Sequence, residues 1–294
     1  GKITYLAGKW STEVSDYNRF VRQTAEGDVK FTTGDSWLDR SAVWARALLA
    51  SNQHYLDGNV VPMPCPAEYN FFFTHDLLLT DLGVVNFDLQ RVKRDLLYLA
   101  SLAKENIIPH AYYWRDDGYK TEFCTPENWN QLWFIIAAAR YLRHAGDVPT
   151  GLDLYPLITK SLSEILTQLR PDSLMYAFRP DWWDIGHRDG PRSYITILTI
   201  RALRDYLYVS TVLDRRSEKL LEYERLADAM QRALGEKLWD DTLRYLVNYN
   251  DSLKDTHFYM GSLLAPVYGV LDQRKSEELL ATASKQLLRE PVGV

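Results

Sequence analysis

From residue 36 onward, apolar residues recur at intervals of three and four, the period of a helix with one buried face. Trp37, Leu38, Ala42, Ala45, Leu48 and Leu49 share one side of a helix over 37–51. Thr74-His75-Asp76 reads as a helix start, with a hydroxyl at the N-cap and an acid in the first turn. A helix over 88–104 follows. Thr125-Pro126-Glu127-Asn128 is another start, with proline at the first helical position, and that helix runs to about Arg143 and stops at Gly146. The same period marks Ile158 to Leu169, Ile195 to Tyr206 and Leu220 to Leu234, then two closing helices over 257–270 and 273–289. Between Trp239 and Asp255 the period weakens, and Tyr245-Leu246-Val247 reads as a short strand in a hairpin.

The pattern predicts about nine helices and almost no strand. Prolines 62, 64 and 66 stiffen the stretch before Phe71, and 110–124 reads as an aromatic loop. Long connections fall at 53–74, 105–125, 170–190 and 239–256, and short ones lie between them. Every second connection being long suggests helical hairpins set in a ring, with the long loops gathered at one end. No repeat of fixed period, linker or low-complexity stretch divides the chain, so residues 1–294 are read as one domain.

Apolar residues make up 46% of the chain, enough for a large core, and the formal net charge of −5 argues against nucleic acid or an anionic membrane as partner. No apolar run approaches the roughly 18 residues of a membrane span. Cys65 and Cys124 form neither a metal-spaced set nor a disulfide framework, which fits a reducing, cytoplasmic setting. No metal site is expected. Nine tryptophans and 19 tyrosines are a high aromatic content; core packing accounts for more than half of them, and flat aromatic walls also suit a ligand cleft.

Sugars have hydroxylated edges and apolar C–H faces, so proteins grip them with aromatic walls, carboxylates and amides. The long loops hold that mixture: Glu68; His75 and Asp76; Trp114; Glu127 and Asn128; and Asp181, Trp182, Trp183 and Asp184. Glycoside hydrolysis usually takes two carboxyl groups, one protonated and one ionised. A carboxyl against indoles loses solvation and keeps its proton more readily, which suits Asp184 to the acid role. A structural reading stands beside it: Asp181 or Asp184 caps a helix or pairs with Arg179 or Arg192, and His75-Asp76 is ordinary helix-start chemistry.

PMPCPAEYNFFFTHDLLLTDLGVVNFDLQRVKRDLLYLA, TPENWNQLWFIIAAARYLRHAGD and RPDWWDIGHRDGPRSYITILTIRALRDY together resemble bacterial amylo-α-1,6-glucosidase-like proteins. These are relatives of glycogen-debranching enzymes among the (α/α)6-barrel glycosidases. The similarity runs over roughly residues 36–213. It implies an all-α toroid of helical hairpins and a hydrolase acting on α-glucans or related neutral oligosaccharides by inversion, without metal or organic cofactor. In that group the general acid follows a tryptophan in the loop between the fifth and sixth helices, which selects Asp184, with Asp181 as the fallback. The family's sugar-binding Arg-Asp pair falls on His75-Asp76, so Asp76 carries over and the arginine does not. A full barrel needs twelve helices and the pattern predicts nine or ten, so an incomplete toroid is expected. No residue matches the family's general base, and Glu68 or Glu127 are the stand-ins. The alternative is a non-catalytic carbohydrate-binding or scaffold protein that kept the barrel without the base.

Overall fold

A helix that is apolar on every side must be surrounded by other elements, and two such helices organise this chain. The computed structural model describes residues 2–25, 27, 29–56, 59–62, 71–105, 107–115, 118–123, 129–177 and 190–288. In order, the elements are α1 (Lys2–Ala25), α2 (Ser36–Ser51), β1 (Gln53–Leu56), β2 (Asn59–Pro62), β3 (Phe71–Phe73), α3 (Thr74–Val84) and α4 (Leu89–Leu102). Then come β4 (Ala111–Arg115), β5 (Gly118–Glu122), α5 (Trp129–Ala145), α6 (Val148–Ile165), β6 (Tyr176–Ala177), β7 (Gly190–Pro191), α7 (Ser193–Val212) and α8 (Lys219–Lys237). The described chain closes with β8 (Trp239–Asp240), β9 (Tyr245–Leu246), β10 (Asn248–Asn250), β11 (Leu253–Asp255), α9 (Leu264–Val267) and α10 (Gln273–Gln286).

In α5 the run Leu132, Trp133, Phe134, Ile135 and Ile136 is buried without a break, and α7 buries Ile195 to Ile200 in the same way. Thr196 and Thr199 survive there because their hydroxyls donate back to the carbonyls of Arg192 and Ile195, four residues earlier. α3, α5, α7 and the segment 260–267 pack side by side as an inner row. α4, α6 and α8 lie outside them, each burying one face. Aspartates cap several of the outer helices: Asp88 accepts from the Arg91 N–H, Asp147 from Thr150 and Asp272 from Lys275.

The all-α alternation of inner and outer helices is the one the loop lengths predict, and the described residues hold ten α-helices against nine expected. The extra one is α1, which carries an apolar stripe at Trp10, Val14, Tyr17 and Val21. In α2 the stripe predicted to be buried is not: Trp37 is 73% exposed, because α1 is the main neighbour of α2. The stretch 110–124 is not a plain loop. β4 and β5 pair antiparallel, and β3 adds to β4 with Phe71 opposite Tyr113 and Phe73 opposite Ala111. Consecutive β-forming aromatics carry that pairing. Thr74 is not an N-cap either, since it begins α3 and its hydroxyl donates to the Pro109 carbonyl. The closing helix predicted over 257–270 shortens to a 3-10 turn over Met260–Leu263 and the single turn α9. Among the described residues no helix is long and apolar enough to cross a membrane.

Asp81 of α3 and Arg91 and Asp95 of α4 form a buried charged cluster, in which Arg91 Nε lies 3.7 Å from Asp95 and Nη1 donates to the Leu49 carbonyl of α2. Burial pushes Asp95 up to about 7. Burial and the neighbouring Asp95 raise Asp81 well above the usual carboxylate range. The folded state therefore keeps protons that the unfolded chain releases above about pH 4. Their stabilisation is complete below that pH and is lost as pH rises through the folded pKa. The melting temperature is expected to fall between pH 5 and pH 8, and Asp81→Asn, neutral at both, to shrink the fall. Thermal denaturation at the two pH values checks this, and identical slopes would contradict it.

Candidate functional site

Polar chemistry gathers where the inner helices begin. His75 lies in the first turn of α3, Trp129 and Asn130 in that of α5, and Ser193 and Tyr194 in that of α7. Trp133 donates its indole N–H to the Tyr194 hydroxyl at 2.9 Å. Having accepted there, that hydroxyl can donate to His75 Nε2, 3.1 Å away. The His75 ring stacks on Trp133, with centroids 5.8 Å apart and planes at 27°. Three helices are thus joined through one hydroxyl, and the imidazole is fixed in orientation. Asp76, next to it, is exposed in the first turn of α3, where a carboxylate suits the helix dipole.

A second polar layer flanks this one. Thr74 N–H donates to the His110 carbonyl, and the His110 ring lies 3.3 Å from the Asn130 amide nitrogen and edge-on to Trp129. On the other side of Tyr194, Asn248 of β10 accepts from both the backbone N–H and the hydroxyl of Ser193, at 2.7 and 2.9 Å. Arg192, fully buried, donates to Asn250 at 3.1 Å and lies 3.7 Å from Asp255. Burial alone would raise the Asp255 carboxyl, but hydrogen bonds from His257 and Tyr259 hold it below its ordinary value. Burial and the Asp255 charge in turn raise the Tyr259 phenol.

Among the described residues several buried polar atoms here have no hydrogen-bond partner: Asn130 Oδ1, both amide atoms of Gln131, and Asn248 Nδ2. An unmet buried polar atom costs about 1–3 kcal/mol in stability.

Of the residues singled out from the sequence, His75 and Asp76 stand in this layer. Glu68, Glu127, Asn128, Asp181, Trp182, Trp183 and Asp184 lie outside the described residues, as do Cys65, Cys124 and the side chain of Trp114, whose backbone is in β4. The flanks of 178–189 are described: Ala177 pairs with Gly190 across β6 and β7, beside the start of α7. Sequence reasoning missed His110, Asn248, Asp255 and His257. The run Asn248-Tyr249-Asn250-Asp251 to Asp255-Thr256-His257, dense in amides and acids where the helical period fails, was the available signal. Among the described residues no group of His, Cys, Asp and Glu could hold a metal ion.

No protein-family model matches the chain. No curated protein matches it either. Solved structures do. A rhamnosidase from Klebsiella oxytoca with rhamnose bound superposes with a TM-score of 0.70 over 90% of this chain, at 17% identity. The match covers 50% of the rhamnosidase, so the chain spans about half that protein's length. A GH63 mannosylglycerate hydrolase from Thermus thermophilus in complex with glucose gives a TM-score of 0.63 at 13% identity, over 82% of this chain and 76% of that one. An unsaturated glucuronyl hydrolase from Bacillus gives 0.51 at 16% identity, over 85% and 69%. These are helical (α/α)6-barrel glycosidases, and the likeness establishes that fold for this chain. The resemblance to amylo-α-1,6-glucosidases rests on the sequence motifs alone.

Two substitutions test the geometry. Tyr194→Phe removes the hydroxyl shared by Trp133 and His75 and strands a buried indole N–H, so a loss of about 1–3 kcal/mol is expected in urea unfolding; an unchanged midpoint would contradict the shared bond. At Gly190 φ is +144°, and an added Cβ would sit 2.1 Å from the Tyr249 carbonyl oxygen. Gly190→Ala is expected to cost at least about 2 kcal/mol, because backbone must move. Calorimetry checks it, and a wild-type melting temperature would show that β7 and β10 do not meet as described.

Proposed function

We propose that the chain is the catalytic-type barrel of a glycoside hydrolase acting on neutral oligosaccharides, α-glucans first among them, by inversion. One observation carries the reading: three inner helices of a glycosidase-type barrel open onto a single polar layer built on His75, Trp133 and Tyr194. Aromatic rings beside the half-buried His75 and the exposed Asp76 suit a ligand with apolar faces and hydroxyl edges. The solved structures of the same fold include one with rhamnose and one with glucose.

In this reading Asp184 donates a proton to the departing glycosidic oxygen, with Asp181 as the fallback acid. The flanking indoles Trp182 and Trp183 keep that carboxyl protonated by excluding water. His75, Asp76, Glu68, Trp114, Glu127 and Asn128 bind the sugar. Water attacks the anomeric carbon from the opposite face as the glycosidic bond breaks, and a second carboxylate takes its proton. Within this chain Glu68 and Glu127 are the groups proposed for that role. The acid strand of the mechanism needs no metal or organic cofactor.

Reducing-sugar release from maltose, isomaltose, glycogen fragments and an aryl rhamnoside tests the reading. Asp184→Asn is expected to lower kcat by about 10²–10⁴-fold on whichever substrate the protein cleaves. Equal rates for the two proteins would remove Asp184 from the acid role. Binding without cleavage by the wild-type protein would favour a carbohydrate-binding function instead.

A further inference from the structure

The segment that leads into the fourth inner element carries a histidine held by a buried acid. Asp255 is 5% exposed and both its oxygens are engaged. Oδ1 lies 2.6 Å from His257 Nδ1 and accepts the His257 backbone N–H at 3.2 Å. Oδ2 accepts the Tyr259 hydroxyl at 2.7 Å and lies 3.7 Å from Arg192 Nη1. A ring nitrogen facing an ionised carboxylate carries the proton, so in the neutral imidazole Nε2 is left as an acceptor. The His257 side chain is 75% exposed, and no protein group among the described residues bonds Nε2.

The place of this ring matters as much as its chemistry. Arg192, which lies against Asp255, directly precedes Ser193 and Tyr194, and Tyr194 is the residue bonded to His75. Asn248, bonded to Ser193, belongs to the hairpin β10–β11 that ends at Asp255. The pair Asp255–His257 is therefore fastened to the first turn of α7, at the end of the barrel where His75 and Asn130 stand. An exposed histidine used only for packing would keep its rotamer freedom. This one gives that freedom up without burying its ring, as a preorganised binding group does.

We infer that His257 is a saccharide-contacting residue, presenting Nε2 to a sugar hydroxyl, and that Asp255 is its positioning residue. The inference rests on the reading of the chain as a saccharide-processing protein and adds a wall to its site. It selects ligands that offer a hydroxyl donor at that position.

The test uses His257→Ala and His257→Gln on the substrates the wild-type protein cleaves. His257→Ala is expected to raise KM about tenfold, the worth of one such hydrogen bond, with kcat much less affected. His257→Gln, which offers an amide oxygen, is expected to recover most of the loss in KM, whereas both variants are expected to melt somewhat lower because the buried Asp255 loses its ring partner. A KM within twofold of wild type for His257→Ala on every substrate overturns the inference while leaving the hydrolase reading in place. Should the wild-type protein cleave nothing, calorimetric titration with maltose, glucose and rhamnose replaces kinetics. Weaker binding by His257→Ala then supports the inference although hydrolysis has failed; equal binding, or no binding by either protein, overturns it.

Discussion

A helix buried on all sides can offer polar groups only at its ends, and that constraint shapes this molecule. α5 and α7 are buried around their whole circumference over 129–139 and 193–200, so those turns serve as core. Their first turns carry backbone N–H groups that the helix itself does not satisfy. Polar side chains therefore collect there, and because the inner helices begin at the same end, the collection forms one layer. The packing that makes the helix bodies core leaves their first turns as the place for polar contacts.

Within the layer, a few contacts bind otherwise separate elements. The Tyr194 hydroxyl joins α3, α5 and α7 through His75 and Trp133. Asn248 and Arg192 join α7 to the hairpin β10–β11, and Gly190 lets β7 pass within reach of Tyr249 where no side chain would fit. These contacts sit directly beside the two ends of the segment that carries Asp181 and Asp184. The layer thus frames both flanks of the segment proposed to carry the acid. Elsewhere, the buried cluster of Asp81, Arg91 and Asp95 ties α2, α3 and α4 together at an electrostatic cost, much of which proton uptake relieves.

Much of the architecture was legible in the sequence because helical burial leaves a period. The stretches around Ile195, Leu220 and Gln273 became α7, α8 and α10, and the alternation of long and short connections foretold the inner and outer rows. α1 was unread although its stripe Trp10, Val14, Tyr17 and Val21 keeps the helical spacing. Other parts stayed hidden for physical reasons. Pairing of β3 with β4 joins residues about 40 apart, which a local period cannot register, whereas β4 and β5 form a local hairpin that was read as a loop. Of the site, His75 and Asp76 were found through a helix-start motif. Tyr194 reads in sequence as one more aromatic at the head of a helix, and only the fold shows that its hydroxyl meets His75. Asp255 and His257, two residues apart, form a pair only once a buried arginine is placed behind the acid.

The central claim is that the ends of the inner helices form a saccharide site, and a crystal of the Asp184→Asn protein grown with a maltose and rhamnose mixture tests it most directly. The account predicts a sugar ring at the starts of α3, α5 and α7, within hydrogen-bonding distance of His75 or Asp76. A sugar bound only elsewhere on the barrel, with that layer holding nothing but water, would contradict it.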